Sequence, residues 1–332
     1  MDIKAADVAK LRKMTGAGMM DCKKALVEAE GDFNRAQEII REKGKAVALK
    51  RADRETTEGS VIAKITPDGS QAILVALGCE TDFVATNSEF TSLAEAIAQA
   101  AVEQLPEDQE ALMACTIADG RTVEAAITEQ TGKSGEKTVI ACYKKMAAPV
   151  IGSYIHMNHK LASIVGFNKA VPGETGKYIA MQITAMNPVA VDAESVPEAV
   201  VKQELDVAIE KTKEEQVKKA VENALKKAGI NPAHVDSEDH IESNTAKGWI
   251  TPEQAEQARQ IIKAVSEEKA ANLNEAMVQN IAQGRLNKFF KEQTLLEQEF
   301  TMSDDKQTVK DYLAGIDKEI KVLGFFRFSL SD

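Results

Sequence analysis

A hairpin followed by a helix, written twice along one chain, is the pattern that most narrows what this sequence can fold into. Gly59-Ser60-Val61-Ile62 opens a strand, Pro67-Asp68-Gly69 turns it, and Ala72-Ile73-Leu74-Val75-Ala76-Leu77 returns before a helix from Glu89. Farther on, Gly152-Ser153-Tyr154-Ile155 opens a second strand and Ala162-Ser163-Ile164-Val165-Gly166-Phe167 returns. A helix then begins near Thr175, carrying Tyr178-Ile179-Ala180-Met181-Gln182-Ile183. Pro, Asp and Gly supply the backbone angles that reverse a strand, and a small antiparallel sheet needs a helix to cover its apolar face. The two copies share pattern rather than identity. They predict an α+β fold with two related core subdomains. At 332 residues, 44% hydrophobic and 28% charged, the chain suits two or three soluble domains able to bury a core. Aromatics are only 5% and alanine-rich helical segments abound, so helix should predominate.

Only the first copy carries Gly78-Cys79-Glu80-Thr81-Asp82-Phe83-Val84-Ala85 between its second strand and its helix. A buried strand thus delivers an acid and an aromatic ring side by side into a connection. Connections lie at the surface, where a rigid scaffold can present functional residues. Phe83 either folds back to staple the following helix or stands out as a wedge for a partner protein, and this segment alone weighs the two evenly.

Residues 1 to about 43 read as three short helices. The first runs from about Ala5 to Met14 and breaks at Thr15-Gly16-Ala17-Gly18, since glycine accepts helix-ending angles. The second carries Met20, Ala25, Leu26 and Ala29 and stops at Gly31; Asp32 caps the third, striped by Phe33, Ala36, Ile39 and Ile40. Gly44 to Glu58 is polar and reads as a linker or a solvated helical extension. From Val196 to about Phe290 the chain reads as an outgoing arm ended by Gly229-Ile230-Asn231-Pro232. A return arm follows, opened by the cap Thr251 and by Pro252 at the first helical position. Two antiparallel arms with a narrow apolar seam predict a projecting coiled-coil hairpin, with an added segment of roughly fifty residues beyond a typical loop. Val322-Leu323-Gly324-Phe325-Phe326-Arg327-Phe328 looks like a return to the second subdomain's sheet.

Thr15-Gly16-Ala17-Gly18-Met19-Met20-Asp21-Cys22-Lys23-Lys24-Ala25-Leu26-Val27-Glu28-Ala29-Glu30-Gly31-Asp32, together with Thr81-Asp82-Phe83-Val84, closely resembles the two signatures of the bacterial elongation factor Ts family. Ile151-Gly152-Ser153-Tyr154-Ile155-His156 matches the family's second core repeat, and the resemblance runs on to Phe325-Phe326-Arg327-Phe328. It implies guanine-nucleotide exchange on elongation factor Tu, in the cytoplasm and without covalent chemistry. It assigns Thr81, Asp82, Phe83 and Val84 to the disturbance of the GTPase's Mg²⁺ region, and Arg12, Met19 and Met20 to a grip on its nucleotide-binding domain. His156 is assigned to a further contact, although Met157-Asn158-His159-Lys160 departs from the usual glycine-containing pattern. The implied organisation is an N-terminal ubiquitin-associated-like three-helix domain (1–54), core subdomain N (55–146), core subdomain C (147–196 and 287–332) and the coiled-coil hairpin (197–286). The family places dimer contacts on that hairpin, and its length here leaves a homodimer or a 2:2 complex with elongation factor Tu open. A further C-terminal helix found in some members has no counterpart after Phe328, so its contact is expected to be lost or replaced.

Other chemistries find little support. The net charge of −11 argues against direct nucleic-acid binding, which needs clustered Lys and Arg. No stretch is long and apolar enough to span a bilayer, and none reads as a signal segment. Cys22, Cys79, Cys115 and Cys142 are dispersed and read as reduced thiols. His156 and His159 lack the Cys or carboxylate companions of a zinc site. No Gly-rich phosphate loop of the GxxxxGK[ST] type is present, so the chain is not expected to bind GTP itself. No metal, cofactor or catalytic residue is expected. One of Met19 and Met20 is expected in the core, and Trp249 at the base or tip of the hairpin. The rival reading is a helical scaffold or adaptor using the three-helix unit and the hairpin, which leaves the Asp-Phe loop without a role.

Overall fold

The computed structural model describes residues 3–332. They divide into two units, one made of the chain up to Val191 with Gln298–Asp332, the other of Asp192–Glu297. The architecture is α+β, with two three-stranded antiparallel sheets.

The first unit opens with α1 (Ala5–Thr15), α2 (Met19–Glu28) and α3 (Phe33–Lys50). Gly16 ends α1 at φ 67°, its N–H donating to the Arg12 carbonyl. The Asp32 carboxylate accepts from the Asn34 and Arg35 N–H groups and starts α3. Val8, Leu11, Cys22, Ala25, Leu26, Ala36 and Ile40 close a small core. The third helix runs past residue 43 to Lys50, so 44–50 are a helical extension rather than a linker, and Gly44 is buried rather than solvated.

Next come β1 (Glu58–Ile65), β2 (Gln71–Cys79), α4 (Asp82–Ala85), α5 (Ser88–Gln104), α6 (Gln109–Ala114), α7 (Val123–Ser134) and β3 (Val139–Ala147). β4 (Val150–Ile155), β5 (Leu161–Phe167) and α8 (Thr175–Met186) form the second copy, and the unit is completed by α13 (Val309–Ile316) and β6 (Val322–Ser329). The sheet orders are β1-β2-β3 and β4-β5-β6. β3 is not marked in the sequence as a strand, because Lys144 and Lys145 interrupt its apolar run. β6 pairs with β5, setting Phe325 opposite Val165.

β2 is apolar on both faces because both faces are covered. Ile73, Val75, Leu77 and Cys79 pack with Phe90, Leu93 and Ile97 of α5. Ala72, Leu74 and Ala76 share a second core with Ile151, Ala162 and Ile164 of the other sheet. On that sheet's far side Ser163 Oγ donates to the Ala180 carbonyl of α8 at 2.7 Å. The two sheets therefore lie face to face between helical layers. The three-helix segment docks onto this body where α3 crosses α7. A Cβ on Gly44 would sit 2.7 Å from the Thr128 carbonyl, and one on Gly132 would sit 3.3 Å from the Gly44 Cα. Only glycine permits so close an approach at Gly44.

The second unit holds α9 (Glu198–Lys227), α10 (Glu238–Ala246), α11 (Pro252–Ala271) and α12 (Glu275–Gln293). α9 packs along both α11 and α12. Thr251 and Gln254 form a reciprocal capping box at the start of α11, with Pro252 in its first turn. The return arm is two helices rather than one. It breaks at Asn272-Leu273-Asn274, where Asn274 accepts from the Met277 N–H and restarts the chain as α12. Around the α9–α10 and α10–α11 connections this unit widens into a small core of Leu225, Ile230, Val235, Ile241, Ile250, Ala255 and Ala258. Trp249 lies on that head, exposed, 5.6 Å from the His234 ring and under the Lys247 ammonium. No helix among the described residues is long and apolar enough to cross a membrane.

Candidate functional site

The connection leaving β2 is not an open loop. Thr81 accepts weakly from the Val84 N–H at 3.5 Å and starts the single turn α4. Ala85 is buried and Val84 half-buried against the α5 core. Anchored from below, the turn holds Asp82 and Phe83 outward. Phe83 is 84% exposed, which excludes the reading in which its ring folds back under the next helix. The Asp82 carboxylate has no hydrogen-bond or ion-pair partner among the described residues.

Behind the turn lies a web of charge-assisted hydrogen bonds. Glu136 accepts from Thr81 twice, from the N–H at 3.1 Å and from the hydroxyl at 2.7 Å. Glu80 accepts from the Lys137 N–H at 2.6 Å and from Arg51 at 2.7 Å. Burial pushes the Glu80 carboxyl up, but the Lys137 N–H and the Arg51 guanidinium outweigh it and hold it below its usual value. The Lys137 ammonium donates to the Ala52 and Arg54 carbonyls. Sequence reasoning missed these partners, because Glu136 lies 55 positions from Thr81 and Arg51 sits in a stretch that reads as solvated.

Cys79, at the end of β2, is buried and donates to the Thr81 carbonyl at 3.3 Å. Burial, reinforced by Glu136 and Glu58, pushes its thiol up to about 12. The thiolate is the reactive species. Cys79 should therefore resist alkylation at pH 8 in the native protein and react fully in denaturant, as peptide mass spectrometry would reveal. Rapid native labelling at Cys79 would contradict this burial.

The other predicted residues occupy two further places. Arg12 is exposed on α1, with no ion pair among the described residues. Met19 and Met20 are 57% and 64% exposed, so neither packs in the core. Both fall in the first turn of α2, whose inward face begins only at Cys22. His156 lies half-buried at the tip of the β4–β5 hairpin, its Nδ1 3.2 Å from the Tyr154 hydroxyl. His159 takes a left-handed φ of 54°, and its carbonyl accepts from the Val61 N–H of β1 at 2.6 Å. A groove of about 1060 Å³ joins two of these places, with Asp82, Thr86 and Glu95 on one side and Asn158, His159 and Lys160 on the other. His156 does not line it. Among the described residues no cluster of His, Cys, Asp and Glu could hold a metal ion.

The family model described as elongation factor TS matches residues 80–230 and 222–332. A protein named elongation factor Ts from Bacteroides fragilis is 55% identical over 331 residues, covering 99% of each chain. Its namesake from Bacteroides thetaiotaomicron is 54% identical over 331 residues, again covering 99% of each chain. The one from Porphyromonas gingivalis is 40% identical over 331 residues, spanning 100% of this chain and 99% of its own. The chain belongs to the elongation factor Ts family.

Proposed function

We propose that this chain binds elongation factor Tu·GDP and accelerates release of GDP, so that GTP can replace it. The observation that carries the reading is Phe83, 84% exposed on a turn rooted in the core. A ring that large, held that far out, suits burial in a partner. Family membership favours elongation factor Tu as that partner.

The mechanism is one of linked equilibria. An exchange factor must bind the nucleotide-free GTPase more tightly than the GDP-bound one, and GDP must weaken its hold reciprocally. Mg²⁺ and the phosphate cradle anchor a nucleotide on a GTPase. Phe83 wedges between elements beside that cradle, and its burial favours the distorted state by on the order of 1.5–3 kcal/mol. Asp82, a carboxylate unpaired among the described residues, perturbs the polar network around Mg²⁺. Thr81 and Val84 root the turn. Arg12, Met19 and Met20, on the ubiquitin-associated-like three-helix domain, grip the nucleotide-binding domain, and His156 adds a separate contact. No bond is made or broken by this chain, and its site of action is the cytoplasm, without direct nucleic-acid contact.

Release of labelled GDP from the cognate elongation factor Tu, with and without the protein, tests the reading. No acceleration would overturn it in favour of a helical scaffold, a role in which an exposed Phe83 has no use. The outer part of the coiled-coil hairpin is dispensable for exchange on this reading. Replacing residues 218–272 with a short turn removes the head, yet retains the Lys213–Glu275 and Glu215–Arg285 ion pairs and the buried Val278, Ala282 and Leu286. The shortened protein should keep exchange within about threefold, the scale of small surface effects. Loss of exchange in a folded shortened protein, with self-association unchanged by sedimentation, would assign the hairpin a grip on the GTPase.

A further inference from the structure

α4 is four residues long, too short to hold its own shape, since a helix stabilises itself only after several turns. Its own N-cap bond is long, at 3.5 Å. Yet Phe83 can act as a wedge only if it is held before the partner arrives, because every residue ordered on binding loses backbone entropy at that moment. Something outside the turn must therefore hold it.

We propose that Glu136, in the turn between α7 and β3, is a positioning residue for exchange: it clamps Thr81 and thereby fixes the wedge relative to the three-helix domain. This rests on the function proposed above. The Glu136 carboxylate takes both donors of Thr81, backbone and hydroxyl, and so fixes the first residue of the turn in orientation as well as in place. Glu136 is itself held. Its N–H donates to Ser134 Oγ at 3.2 Å, and that hydroxyl donates back to the Gln130 carbonyl of α7 at 2.9 Å. The next residue, Lys137, ties the same turn to Glu80 on one side and to the Ala52 and Arg54 carbonyls after α3 on the other. α7 meanwhile packs on α3 at the Gly44–Gly132 crossing. One helix thus touches the domain that carries Arg12, Met19 and Met20, and ends in the carboxylate that holds the Phe83 turn. The span between grip and wedge is set by α7 and its terminal turn.

Four proteins test this in one assay of stimulated GDP release at saturating exchange factor: wild type, Glu136→Ala, Phe83→Ala and the double variant. Glu136→Ala should lower the saturating rate about tenfold, the size expected for one more residue ordered on binding. The double variant should be slower than Phe83→Ala alone by much less than tenfold, because most of the effect of Glu136 passes through the ring and only the share carried by Asp82 on the same turn is left. Glu136→Gln keeps a carbonyl for the Thr81 N–H and an amide donor for its hydroxyl, and should return to within about threefold of wild type. Amide hydrogen exchange of the free protein should quicken at residues 82–86 in Glu136→Ala, with the sheet core unchanged. If the alanine variant shows no cooperative melt, Thr81→Val, which removes the hydroxyl donor to Glu136 together with the long cap on the Val84 N–H, carries the same expectations. A wild-type rate in Glu136→Ala, or losses that multiply in the double variant, would overturn the positioning role. A wild-type protein that fails to stimulate release would instead overturn the exchange reading, and the positioning role with it.

Discussion

Replacing Phe83 by alanine is expected to slow stimulated GDP release roughly ten- to hundredfold while the protein melts within about 2 °C of the wild type. The two halves of that result have one cause. The ring is 84% exposed, so removing it takes almost nothing from the fold, which rests on Ala85 and Val84 beneath it. The burial it lacks at home is available to the partner, and the rate loss corresponds to about 1.5–3 kcal/mol of favourable burial forfeited in the distorted complex. Differential scanning calorimetry and single-turnover release of labelled GDP measure both halves. Early melting with normal exchange in the folded fraction would make Phe83 a structural residue and remove the wedge.

The elements that were legible in the sequence are those whose signal is local. β2 announces itself as a continuous apolar run because it is buried on both faces. Asp32, Thr251 and Pro252 mark helix starts because a capping side chain acts within three residues. What was not legible depends on contacts between distant segments. Gly44 opens a stretch that reads as a linker or a solvated helical extension, yet α3 passes through it buried because α7 needs a residue without a side chain there. β3 carries lysines at Lys144 and Lys145, as an edge strand can, and its pairing with β2 across some sixty residues has no local mark. Asn272 and Asn274 divide a return arm whose apolar periodicity alone suggests one helix.

The site divides along the same line. Thr81 to Val84 form a contiguous motif and can be read as one. Phe83's outward direction cannot, because the ring has two physically sensible fates and only the anchoring of Val84 and Ala85 excludes the inward one. Glu136 is invisible in sequence for a plainer reason: a lone Glu after a glycine is ordinary surface composition until the fold brings it to Thr81.

The grip of the N-terminal helices should fail in a different way from the wedge. Met19→Ala with Met20→Ala removes two flexible apolar side chains that stand 57% and 64% exposed at the first turn of α2. The three-helix core, built on Leu11, Cys22 and Leu26, is untouched, so the melting temperature should hold within about 2 °C. Each methionine buried against the GTPase would contribute on the order of 1.5 kcal/mol, so the pair should weaken affinity for nucleotide-free elongation factor Tu about a hundredfold. Most of that loss should appear as faster dissociation. Contacts made equally with every nucleotide state set how much factor is needed, not how fast bound GDP leaves. The saturating release rate should therefore stay near wild type while the half-saturating concentration rises, the opposite of the pattern for Phe83→Ala. Titrating stimulated release over several decades of factor concentration separates the two. A lowered plateau at unchanged half-saturation would mean that Met19 and Met20 act on the distorted state itself, and the division between grip and wedge would not hold.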